Sequence, residues 1–123
     1  MGPQALRVAG IAQALARCGV DVKDCGDLAG PANPWLPVVD GYRHLPEVVA
    51  WSRIVHDAVW NELQQERLPV MLGGDHSLSI GSISAVARHC CTQGRPLRVL
   101  GVDAHADLNS ARITPSGNIP RMP

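Results

Sequence analysis

With 123 residues, the chain has room for one domain of ordinary size and not for two. Its eleven basic and eleven acidic residues cancel, so there is no charge footprint for nucleic acid or for an anionic membrane. No apolar run approaches the length that spans a bilayer, and the amino terminus lacks a signal-peptide pattern; a soluble, cytoplasmic protein is the expectation.

The apolar residues are mainly Ala, Val, Leu and Ile, while the aromatic ones are only Trp35, Tyr42, Trp51 and Trp60. That balance suits helices packed on a parallel sheet better than an aromatic-rich sandwich, so α/β is the expected class. Cys18, Cys25, Cys90 and Cys91 show no Cys-x-x-Cys spacing, and the adjacent pair is unlike a disulfide framework. Reduced thiols are expected, with Cys18 packing as a small hydrophobe.

Met1-Gly2-Pro3 leads directly into a helix, with Pro3 in the first turn, where its missing N–H is not needed. Leu6, Ile11, Leu15 and Cys18 form its apolar stripe, and Gly19 stands where a helix-ending glycine belongs. Val20 to Cys25 alternates and predicts a short strand. From Gly26 to Leu45 the chain is rich in Gly, Pro, Asn and Asp, which reads as a surface connection pinned by Trp35 and Leu36. His44 is given no role.

Pro46-Glu47 opens a second helix running to about Arg67, with Val48, Trp51, Val55, Val59 and Leu63 on its buried face. His56 borders that face and reads as structural or solvated. Pro69 to Leu72 predicts a second strand, and Gly73-Gly74 a tight turn with positive φ that lifts His76 above the carboxyl edge of the sheet. Ser77 caps a third helix, Leu78 to about Cys91, whose apolar side is Ile80, Ile83 and Val86 or Ala87. His89 lies near its end, where a partial positive charge is mildly favoured.

Leu97 to Val102, with Arg98 as its one charge, reads as a buried parallel strand. Directly after it, Asp103, His105 and Asp107 occupy every second position. In an extended chain these three face the same side, so two carboxylates and an imidazole converge. Such a donor set suits Mn, Mg, Fe or Zn rather than a thiolate-type site. The carboxyl end of a strand is also where open α/β sheets place their chemistry. A polar loop facing water is the plain alternative, but strict alternation straight after an apolar run favours the metal. His76, which also follows a predicted strand, is the expected fourth ligand.

Together, Gly73-Gly74-Asp75-His76-Ser77, Asp103-Ala104-His105-Ala106-Asp107 and Ser116-Gly117-Asn118 resemble the arginase branch of the ureohydrolase family. The opening Met1 to Arg7 is similar to that family's first helix, so the resemblance covers essentially the whole chain. It implies a three-layer αβα fold with parallel strands, of which residues 1–123 are a single partial domain, and two bound Mn2+ ions. His76 and Asp107 would hold one ion, His105 the other, and Asp103 would bridge them, with Asp107 counted also as catalytic. A metal-bridging hydroxide would attack the guanidinium carbon of L-arginine, giving L-ornithine and urea. Asn109, Ser116 and Asn118 match the positions that hold the substrate's α-carboxylate and amino group. This favours arginase over agmatinase, whose substrate has no α-carboxylate. The implied partner is a small molecule, with neither nucleic acid nor membrane.

The chain also departs from the family pattern. Where the family has Gly-Asn-x-His-Gly, this sequence reads Gly117-Asn118-Ile119-Pro120-Arg121, and Pro120 cannot shuttle a proton as the His is described to do. The family's first strand, its Asp-x-Asp metal ligands and its substrate-binding Glu have no counterpart here. Four of six ligands are therefore expected. In the family's strand order none of the three strands is a direct neighbour of another, which leaves their backbone groups unpaired. Impaired or absent turnover by this chain alone is expected, a non-catalytic remnant is the alternative, and the family's usual homo-oligomer is not expected.

Overall fold

The computed structural model of the chain describes residues 2–32, 37–40 and 42–104. Helices form at α1 (Gly2–Val8), α2 (Ile11–Arg17), α3 (Leu45–Gln64) and α4 (Leu78–Thr92). The single helix expected at the amino terminus is thus two. Gly10 takes φ 82° in the left-handed region, which an α-helix of L-residues cannot continue through. Gly19, at φ 80°, ends α2 as expected, with the N–H of Val20 donating back to the Leu15 carbonyl.

The stripe of Leu6, Ile11, Leu15 and Cys18 is not buried, and Cys18 is exposed rather than packed. An amphipathic face is buried only by a facing layer, and among the described residues α1 and α2 pack on each other but on neither α3 nor α4. All four cysteines are free.

The core lies between α3 and α4. Val55 (2% exposed), Val59 and Ala85 (0%) form its centre, with Trp60, Leu63, Leu78 and Val86 packed around them. The α3 face agrees with its periodicity. On α4 the buried seam is Gly81 and Ala85, not Ile80 and Ile83. The reason is the closeness of the crossing: a Cβ on Gly81 would run into the Ser52 carbonyl and lie 3.0 Å from the Val55 Cβ. Small residues therefore occupy the seam. Ile80 and Ile83 fall on either side of it, half-buried, each lining an open apolar recess. At the rim, the Arg88 guanidinium sits 4.2 Å over the Trp60 ring, and His89 meets that ring edge-on at 6.4 Å.

The three predicted strands, Val20–Cys25, Pro69–Leu72 and Leu97–Val102, form no ladder among the described residues, where only an isolated bridge joins Val39 to Tyr42. The burial expected of Leu97 to Val102 is corrected too, since Leu100 is 88% and Val102 91% exposed. The apolar run is present in sequence, but a strand exists only where a neighbour supplies the opposing N–H and C=O groups. Both later segments nevertheless lie on one side of the helix pair. Met71, Leu97 and Val99 share with Val59, Ile83 and Val86 the walls of a cavity of about 340 Å³.

Polar contacts fasten the amino-terminal third to α3. Arg7 reaches Asp24 (2.9 Å) and also Asp27, Lys23 reaches Glu62 on α3 (3.3 Å), and Glu62 is bound in turn by Arg67. The Trp51 indole N–H donates to the Pro31 carbonyl at 2.9 Å, and its ring lies so close to Gly30 that a Cβ there would be 2.6 Å away. Trp51 and Lys23 thus hold this connection; Trp35 and Leu36 lie outside the described residues. No described helix is long and apolar enough to cross a membrane.

Two outcomes follow from this packing. Gly81→Ala forces the helices apart and is expected to lower stability by about 1–3 kcal/mol. Gly101→Ala, with nothing within 4 Å of its Cβ, should stay within about 0.5 kcal/mol of wild type, both read by urea unfolding followed through helical circular dichroism. Acid should also loosen the amino-terminal third. Arg67 and then Lys23 hold the Glu62 carboxyl below its usual range, and Arg7 and then the Gly26 N–H do so for Asp24. A carboxyl lowered by folding stabilises above its ordinary unfolded value, about 3.9–4.3, and loses that effect as pH falls through the lower folded value. Glu62, with 20% of its side chain exposed against 53% for Asp24, is the less screened of the two. The melting temperature should hold between pH 7 and about 5, then fall below about 4, and Glu62→Gln should flatten that fall.

Candidate functional site

The residues predicted to gather above the strand ends come from two separate stretches, and both arrive at one place. His76 follows Pro69–Leu72 and its two glycines; Asp103 follows Leu97–Val102. His76 Nδ1 and Asp103 Oδ2 stand 3.8 Å apart, with 35% and 41% of their side chains exposed. That is too long for a direct hydrogen bond. It does match the separation of two donors on one shared ion. At metal–ligand distances of about 2.1 Å, two donors on one ion sit about 3.0 Å apart at a right angle and about 4.2 Å apart when opposite. The imidazole and carboxylate therefore fit a divalent ion in separation as well as in chemistry.

The turn carrying His76 differs from the one expected. Neither Gly73 nor Gly74 has positive φ; what holds Gly73 is the Leu78 side chain, 3.0 Å from where a Cβ would be. Ser77 precedes α4 but makes no side-chain cap. Its hydroxyl and its N–H (2.9 Å) both donate to Asp75 Oδ1. On the other side of His76, its carbonyl accepts from the Ser79 N–H at 3.0 Å and the Ser79 hydroxyl at 2.7 Å. A serine directly before a helix suggests a cap, whereas here it binds Asp75 instead. The signal was present, since Asp-x-Ser is the spacing of an Asx turn.

His105 and Asp107, the remaining predicted ligands, lie outside the described residues, as do Asn109, Ser116, Asn118 and Pro120. Among the described residues, no three His, Cys, Asp or Glu side chains cluster closely enough to hold a metal; His76 and Asp103 meet as a pair. His56 pairs with its neighbour Asp57 at 2.9 Å, and His89 packs on Trp60, so neither joins the site.

Comparison with known proteins points to one family. The sequence model of the Arginase family matches residues 1–123. The arginase of Brevibacillus brevis is 37% identical over 123 residues, all of this chain and 40% of that protein. The arginase of Brucella melitensis is 38% identical over 124 residues, again covering 40% of its length. Among solved structures, the arginase from Bacillus caldovelox superposes with a TM-score of 0.82 at 38% identity, over all of this chain and 40% of that one. The Bacillus subtilis arginase gives 0.79 at 34% identity, over 39% of its chain. The chain thus spans about two fifths of the length of the relatives it matches. Over that span the likeness of its path to arginase crystal structures supports an arginase-type fold, although no strand is formed among the described residues. With all 123 positions matched by the family's sequence model and 37% identity to a relative along the whole chain, the chain belongs to the arginase family.

Proposed function

We propose that this chain carries part of a manganese-dependent arginase centre that hydrolyses L-arginine to L-ornithine and urea. The observation that carries the reading is the 3.8 Å approach of His76 Nδ1 to Asp103 Oδ2 from two separate segments. His76 and Asp107 would hold one Mn2+, His105 the second, and Asp103 both; Asp107 would also act at the reacting centre. Asn109, Ser116 and Asn118 would orient the α-carboxylate and α-amino group of arginine through neutral hydrogen bonds. That recognition separates arginine from decarboxylated amidines such as the substrate of an agmatinase. Bound manganese supplies Lewis-acid activation of water for attack on the guanidinium carbon. The four free thiols accord with a cytoplasmic setting.

Pro120 stands where the family pattern has a proton-carrying His. Turnover by the chain as it stands is therefore expected to be low even with metal bound. A non-catalytic role is the second reading, favoured by Pro120 together with the exposure of Leu100 and Val102 beside Asp103.

Calorimetric titration with Mn2+ separates these readings, and a urea-release assay measures what Pro120 costs. Under the arginase reading the chain binds manganese, and His76→Ala or Asp103→Ala weakens binding by tenfold or more, on the order of what lost supporting contacts alone cause. Urea release from arginine should remain near background. Binding indifferent to both substitutions removes the proposed site, and urea release at arginase rates would show that Pro120 costs nothing.

A further inference from the structure

The turn before α4 is closed by side chains on both flanks of His76, and the upstream closure comes from a carboxylate with no place in the proposed ligand set. Asp75 Oδ1 accepts from the Ser77 N–H at 2.9 Å and from the Ser77 hydroxyl. Downstream, the Ser79 N–H and hydroxyl both donate to the His76 carbonyl. Leu78, the next residue, packs on the Val55–Val59–Ala85 core and against Gly73, so the turn is fixed to the helix pair at its far end. His76 lies between these anchors, with its Nδ1 3.8 Å from Asp103 Oδ2. Without the Asp75 contact, the N–H of Ser77 loses its acceptor and the residue just before α4 is free to rotate.

We propose that Asp75 is a positioning residue: by accepting two hydrogen bonds from Ser77, it fixes the backbone on which His76 presents Nδ1 toward Asp103 and a divalent cation. This rests on the metal reading above. The role needs an acceptor at Oδ1 rather than a negative charge, which distinguishes it from a ligand or an electrostatic partner. Preorganisation of a ligand by neighbouring groups is worth about 10–100-fold in metal affinity.

The test is a calorimetric Mn2+ titration of the full chain and of Asp75→Ala, Asp75→Asn, Ser77→Ala and His76→Ala, with amide hydrogen exchange at Ser77 followed in each. Asp75→Ala should weaken manganese binding about 10–100-fold and speed exchange at Ser77. Asp75→Asn keeps the acceptor oxygen and should restore most of both. Ser77→Ala, which loses the hydroxyl but keeps the N–H, should fall between. Wild-type binding that is lost in His76→Ala yet unchanged in Asp75→Ala overturns this inference alone. Equal losses in Asp75→Asn and Asp75→Ala overturn it as well, since charge would then be the active property. A wild-type chain that takes up no manganese overturns the metal reading and this inference with it. Should Asp75→Ala lose its helical circular dichroism, Asp75→Asn and Ser77→Ala decide: affinity near wild type in the first with a loss in the second supports the role, and any other pattern opposes it.

Discussion

At Gly81 the backbone of α4 passes so close to the Ser52 carbonyl of α3 that a single added carbon has nowhere to go. This contact sets the register of the two long helices. With that crossing fixed, Ala85 meets Val55 and Val59, and Trp60 comes under Arg88. The first turn of α4 is fixed by the same crossing, because Leu78 packs on the same cluster. His76 is two residues upstream of Leu78, so the candidate ligand inherits its position from a glycine five residues downstream of it. A buried helix seam and a polar site usually look like separate matters; in this chain one places the other.

Legibility in the sequence followed how local the determining interaction was. The bounds of α3 and α4 were readable within a few residues, because their apolar periodicity is long and regular. The buried side of α4 was not. Sequence reading ranks Ile above Gly for burial, whereas a close crossing selects the smaller residue. The apolar stripe from Leu6 to Cys18 likewise reads as one helix, whereas Gly10 splits it in two. Strand-like composition could be read at Leu97–Val102, but pairing depends on a neighbour that no local pattern reveals.

The site divides in the same way. His76 and Asp103 could be found from their shared position after an apolar run, and they do approach one another. The hydrogen bonds of Asp75 and Ser79 that brace the turn were overlooked in favour of a capping role for Ser77. The trio's strict alternation could be assessed only at its first member, since His105 and Asp107 lie outside the described residues. Family membership adds what neither geometry nor periodicity supplies, an expectation about which small molecule is turned over.

The exposed apolar side chains of Val70, Leu100 and Val102 carry a colloidal consequence. β-prone apolar segments with unsatisfied backbone groups act as templates for any similar chain that drifts past. Ordinary proteins keep such encounters rare through mutual repulsion, but here basic and acidic residues balance, so molecules near neutral pH have no long-range force holding them apart. Solubility for this chain is therefore governed by how much of it is in the tube, and a shift of pH away from neutrality is the simplest means of keeping copies separate.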